Sequence, residues 1–222
     1  MCNHNYNHSL HTRGMAFQPG EWGNPVAILF ESPGSCESIY KRPLIGLTGD
    51  YYDILVSLIS VSGDGELSDY LRKDRVMIVN ACPRYICKNK YTTLSNELLG
   101  DNDETRRSIK EAVLDKKCLI CFGEFACKVY DKLHDEGALE IPTVIKCFHI
   151  GEQGLMHFTP YPDDCKIKKL EVLAKYISKA FMRKGLNGWE ELKELFPQSE
   201  RKAWFLEDGK FVDGPEWMKK SV

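Results

Sequence analysis

The sequence predicts an α/β fold: a three-layer sandwich with a central, mostly parallel four-stranded sheet. Three observations carry that expectation. Four short apolar runs, at 26–30, 76–80, 118–122 and 143–148, have the length of strands buried on both faces. Amphipathic helical patterns separate them, and strands alternating with helices build a parallel sheet covered on both sides. Three of the runs end at a polar residue, Glu31, Asn80 or His149, and the carboxyl ends of such a sheet share one edge.

Composition sets the frame for these elements. The 222 residues suit one domain with a short appendage, and 43% hydrophobic residues suffice for a core. A net charge of -2 announces neither a nucleic-acid nor a membrane partner, although a local basic surface stays open. No apolar run has the length of a membrane span, and residues 1–11 are polar, unlike a secretory signal. A soluble, cytoplasmic monomer without membrane contact is expected. The nine cysteines lie mostly in strand-like runs, as Cys118, Cys121 and Cys147 do. An odd number of them in a reducing compartment reads as small buried hydrophobes rather than a disulfide framework.

The elements follow in order. Residues 1–25 form an N-terminal arm in which His4, His8 and His11 are three or four apart. That spacing admits a metal site, but no Cys or acid completes one, so a surface-draped arm is expected and no metal. The main domain spans 26–182. Its first run, Val26-Ala27-Ile28-Leu29-Phe30, leads directly into Glu31-Ser32-Pro33-Gly34, which puts an acid where open α/β sheets bind ligands. A loop is expected over 34–47, then a helix from Thr48 burying Tyr52, Leu55, Leu58 and Ile59. The loop beyond Asn80 interleaves basic and aromatic residues: Arg84, Tyr85, Lys88, Lys90, Tyr91.

The predicted helix at 102–115 opens with acids, which suit its dipole. A further helix follows Gly123 and runs to Leu133. Residues 151–162 read as a loop, and a last helix at 164–182 lines up Ile167, Leu170, Leu173, Ile177 and Phe181 on one stripe. The extension at 183–222 spreads Trp189, Trp204 and Trp217 among balanced charges, with a turn signal at Asp208-Gly209. It is too small for its own core, so it is expected to pack on the domain.

In order and spacing, the motifs between about 26 and 182 resemble the uracil-DNA glycosylase superfamily, in particular its family 4-like branch. Phe30-Glu31-Ser32-Pro33-Gly34 is similar to that branch's Gly-Glu-Ala/Gly-Pro-Gly motif. Lys41-Arg42-Pro43-Leu44-Ile45-Gly46-Leu47-Thr48-Gly49 resembles its Gly-Arg-Pro-Phe-Val-Gly-x-Ala-Gly segment. Ile78-Val79-Asn80 followed by Cys82-Pro83 resembles the Ile-Thr-Asn strand and its Cys-Arg-Pro sequel. Cys121-Phe122-Gly123-Glu124-Phe125-Ala126 is similar to the strand-Leu-Gly-x-x-Ala turn, and His149 stands where the family has His-Pro-Ser or His-Pro-Ala.

The resemblance implies a DNA glycosylase that flips a base and hydrolyses its glycosidic bond, and with no lysine at an obvious strand-end position for a Schiff base a monofunctional one is expected. Uracil is the default base, and a modified cytosine is the alternative. Glu31 would position water and stabilise the cationic sugar, and His149 would donate to the departing base. Asn80 would hold the edge of the flipped base, with Ser32, Leu44 and Tyr52 completing the base-binding set. Each principal residue also has a plain alternative: a capping acid for Glu31, a turn residue for Asn80, a satisfied structural histidine for His149. DNA contacts are expected from Lys41, Arg42, Arg84 and Lys88, with Leu155, Met156 and Phe158 as apolar wedges.

The sequence departs from the family at informative places. Leu44 replaces the base-stacking aromatic, so either Tyr40, Tyr51 or Tyr52 substitutes for it or the pocket is wider. Ile150-Gly151 replaces the Pro-Ser half of the second motif. Of the four cysteines that hold the family's iron–sulfur cluster only Cys82 is matched, so no cofactor is expected. A function from another class also stands: a non-catalytic nucleic-acid-binding module on the same fold.

Overall fold

All four apolar runs are strands. The computed structural model describes residues 17–82, 103–157, 166–182, 206–207 and 210–211. In chain order they form β1 (Val26–Phe30), α1 (Ser35–Tyr40), α2 (Leu47–Val61), α3 (Gly65–Tyr70), β2 (Met77–Asn80), α4 (Asp103–Val113), β3 (Cys118–Phe122), α5 (Glu124–Asp135), β4 (Thr143–Cys147), α6 (Glu152–His157) and α7 (Lys166–Met182). A two-residue pair, β5 (Leu206–Glu207) and β6 (Lys210–Phe211), runs antiparallel on either side of Asp208-Gly209.

The main sheet is entirely parallel, in the order β2-β1-β3-β4. Its layers follow from the alternation of side chains along each strand. Val26, Ile28 and Phe30 face a core shared with α2, α3 and α7. Ala27 and Leu29 face a second core shared with α4 and α5. The chain is therefore a three-layer α/β sandwich. β1 is 0–4% exposed along its whole length, and each large side chain there contributes roughly 1.5–3 kcal/mol on leaving water.

Several expectations change. Residues 17–25 do not drape loosely: Phe17 is buried, and Gln18 exchanges backbone hydrogen bonds of 3.1 and 3.0 Å with Ile78 in an antiparallel bridge. That bridge partly covers the outer edge of β2. Asn24 is buried because its side chain is satisfied, donating to the Tyr70 and Arg75 carbonyls and accepting from Val26 N–H. The expected loop at 34–47 contains α1, and the one at 151–162 begins with α6. On α7, Leu170, Leu173 and Ile177 are buried, but Ile167 is 56% exposed. It lies in the first turn, before the helix reaches the sheet-facing core. His4, His8, His11 and the three C-terminal tryptophans lie outside the described residues.

Among the described residues no helix is long and apolar enough to cross a membrane. Cys118, Cys121, Cys127 and Cys147 are buried free thiols, and desolvation pushes the Cys118 thiol up to about 12. Such groups act as small hydrophobes rather than nucleophiles.

Candidate active site

The order β2-β1-β3-β4 contains one reversal. From β1 the chain crosses one face of the sheet to β2, and from β3 it crosses the other face to β4. The carboxyl ends of β1 and β3 flank that switch point, where open α/β sheets place their ligands. Glu31 follows β1 and Gly123 follows β3.

These two residues are in intimate contact. Gly123 has φ 98 and ψ 158, a conformation essentially restricted to glycine. A Cβ there would lie 2.3 Å from Glu31 Oε1 and 2.4 Å from its Cδ. The bare backbone thus lets the carboxylate lie against the turn, where it accepts the Phe125 N–H at 3.0 Å. That amide belongs to the first turn of α5, whose N–H groups lack helical partners and sit at the positive end of the dipole. The Glu31 carbonyl accepts from Cys82 N–H at 2.7 Å, which fixes the backbone too. Glu31 is therefore the capping acid of α5 and, at the same time, a half-buried carboxylate at the switch point.

His149 lies two residues past β4 and is half-buried. Its Nδ1 accepts the Gly151 N–H at 2.9 Å, so a neutral ring carries its proton on Nε2. Glycines enclose it closely. A Cβ on Gly151 would lie 2.7 Å from the imidazole Cε1 and Nδ1, and one on Gly154 would lie 1.9 Å from the His149 carbonyl oxygen. Phe30 meets the ring edge-on, 6.0 Å between centroids, and stacks on Phe122 at 5.0 Å. Burial lowers the His149 pKa below the ordinary 6.5, against the Glu31 and then the Glu37 carboxylate, which raise it. The result is a neutral imidazole with an Nε2–H donor in the field of two acids. Lys166 braces α6, 2.9 Å from Glu152 and 5.9 Å above the Tyr51 ring. The fully buried Lys169 donates to the Leu155 carbonyl.

Asn80 ends β2 in register with Phe30, and it is 3% exposed. Phe30 thus lies between Asn80 of β2 and Phe122 of β3, with the His149 ring edge-on to it. Ser32 is half-buried just past Glu31, and Lys41 and Arg42 are exposed on the rim. Leu44 is buried in the core that Phe30 shares, with a left-handed backbone at φ 58. Tyr52 belongs to the core rather than to a base-binding set. It is 1% exposed and its hydroxyl donates to the Leu71 carbonyl, which leaves nothing for a ligand. Leu155 is corrected likewise, since a side chain with 0% exposure cannot act as a wedge. Arg84, Lys88, Phe158 and the Met156 side chain lie outside the described residues.

Glu37 is the principal residue that the sequence reading missed. It is 9% exposed on α1, accepts the Gly34 N–H at 2.5 Å, and also accepts the Leu44 N–H. A signal was present: an acid three residues after the helix-entry Gly34 follows the capping-box pattern. The enclosing glycines carry no such mark, because their role depends on atoms distant in sequence. Among the described residues no group of three or more His, Cys, Asp or Glu could hold a metal ion. Compared with protein-family models and with curated proteins, the chain matches none.

Proposed function

We propose that the protein is a monofunctional DNA glycosylase of the uracil-DNA glycosylase type, acting on a base flipped out of DNA. The observation that carries this reading is the placement of two groups past strand carboxyl ends of one parallel sheet: the Glu31 carboxylate after β1, fixed by Phe125 N–H, and the His149 ring after β4, whose Nδ1 accepts from Gly151 so that Nε2 bears the proton. Breaking an N-glycosidic bond builds positive charge on the sugar and negative charge on the base, so it calls for groups of those two kinds. Glu31 stabilises the cationic sugar and orients the attacking water. His149 donates from Nε2 to a base oxygen, a bond that strengthens as charge builds on it. The C1′–N bond breaks with its electron pair going to the base. Water adds its hydroxyl to C1′ and loses its proton through Glu31 to solvent, and the departing base anion takes a proton from solvent, leaving an abasic site. The resemblance assigns Asn80, at the end of β2, to the base edge. The resemblance of the strand-end motifs supports the same assignment.

A second reading has an observation of its own. The Phe125 N–H bond makes Glu31 a structural cap, which favours a nucleic-acid-binding module without cleavage. Incubation with DNAs carrying uracil, hypoxanthine, xanthine or modified cytosines, followed by detection of abasic sites, separates the two. Cleavage of one member that is lost in Glu31→Gln and in Asn80→Ala supports the glycosylase. Binding without abasic sites supports the module, and no binding at low salt defeats both.

A further inference from the structure

The excursion between Glu31 and α2 is built as a clamped tip. Glu37 points inward and ties its two ends, accepting N–H groups from Gly34 before α1 and from Leu44 after it. Leu44 is buried with φ 58, and its carbonyl oxygen presses so closely on α2 that a Cβ at Gly49 would lie 2.0 Å away. The same junction borders the histidine, since a Cβ on Gly151 would lie 3.4 Å from Thr48 Oγ1. Outward, Ile39 is 73% and Tyr40 67% exposed, followed by exposed Lys41 and Arg42. Glu37 is the only Asp or Glu between residues 32 and 49, and its carboxylate is turned into the protein. The tip therefore presents two large apolar side chains and two cations, with no carboxylate of its own in solvent.

We infer that Ile39 and Tyr40 form a wedge that enters the base stack of a nucleic acid beside the flipped nucleotide, with Lys41 and Arg42 on the flanking phosphates. The inference rests on the nucleic-acid reading of the site. A polyanion with stackable faces complements adjacent cations and an aromatic, whereas an apolar protein face would leave both charges unanswered. A flipped base leaves a gap that inserted side chains fill. Leu155, one of the three expected wedges, is buried, while the tip stands directly beyond Glu31 and is tied at both ends by Glu37.

The test uses the full chain and a short duplex holding a stable abasic-site analogue next to 2-aminopurine, whose fluorescence reports unstacking. Wild type should bind with a fluorescence rise. The Ile39→Ala/Tyr40→Ala double variant should keep the wild-type melting temperature, lose about ten- to hundredfold in affinity and lose the rise. Lys41→Ala/Arg42→Ala should lower the slope of log affinity against log salt by about 2. Wild-type binding with an unchanged double variant overturns the wedge but leaves the DNA reading intact. Absence of wild-type binding at low salt overturns both. Altered self-association of the double variant in sedimentation, with DNA affinity unchanged, makes the tip a protein interface and also overturns the inference.

Discussion

Gly123→Ala tests how Glu31 is held. The substitution places a methyl group 2.3 Å from Glu31 Oε1, 2.4 Å from Cδ and 2.6 Å from Cγ, so the whole carboxylate arm must retreat by about 1 Å or more. Retreat breaks the 3.0 Å bond from Phe125 N–H, a charge-assisted bond of roughly 1.5–3 kcal/mol. Separately, alanine at φ 98 and ψ 158 costs about 1–3 kcal/mol whatever its neighbours do. With partial relaxation the expected loss is roughly 2–4 kcal/mol, or about 5–15 °C in melting temperature for a chain of this size. The two parts separate in a cycle. In a Glu31→Ala background the collision and the lost bond vanish, so Gly123→Ala should then cost only the backbone part, about 1–3 kcal/mol. The assay is urea unfolding of the four proteins. Additive effects, or a Gly123→Ala protein as stable as wild type, would refute the packing of Glu31 against this turn.

Three further outcomes follow from the same geometry. The His149 imidazole should titrate below 6.5 by NMR, and lower still in Glu31→Gln, because that carboxylate raises its pKa. The unfolded chain then takes up a proton that the folded chain refuses, so stability is full above about 6.5 and falls as pH drops below it. His149→Asn should remove that part of the decline. Gly151→Ala pushes on the imidazole 2.7 Å away and should abolish abasic-site formation while leaving duplex affinity within about threefold. Asp131→Ala leaves the buried Lys146 ammonium without a carboxylate now 2.6 Å away, and should cost about 3 kcal/mol in urea unfolding.

The sheet was legible because its signal is local. Continuous apolar runs such as 118–122 have no other stable place than a doubly covered parallel strand. That Glu31, Asn80 and His149 stand at one carboxyl edge also followed from parallel topology alone, since strand order does not matter for a shared edge. What escaped depends on packing between distant parts. The helical spacing already placed Tyr52 on the buried face of α2, which conflicts with a base-binding role, and what escaped was the distant partner of its hydroxyl, the Leu71 carbonyl. Residues 152–157 lack the length for a periodic pattern, so α6 read as loop and Leu155 as a wedge. Ile167 fits the stripe of α7 yet lies at the end that the sheet does not reach. Glycines 123, 151 and 154 were ordinary turn residues until the Glu31 and His149 atoms they border were located.

The most direct test of the central claim is product analysis in water labelled with heavy oxygen. A single-turnover reaction is run on each damaged or modified duplex, with Glu31→Gln alongside. For at least one base, the expected product is an intact strand carrying an abasic sugar that has gained one labelled oxygen, together with unlabelled free base and no reaction in the variant. Oligonucleotide masses unchanged for every base would contradict that claim, as would a product formed equally well by Glu31→Gln.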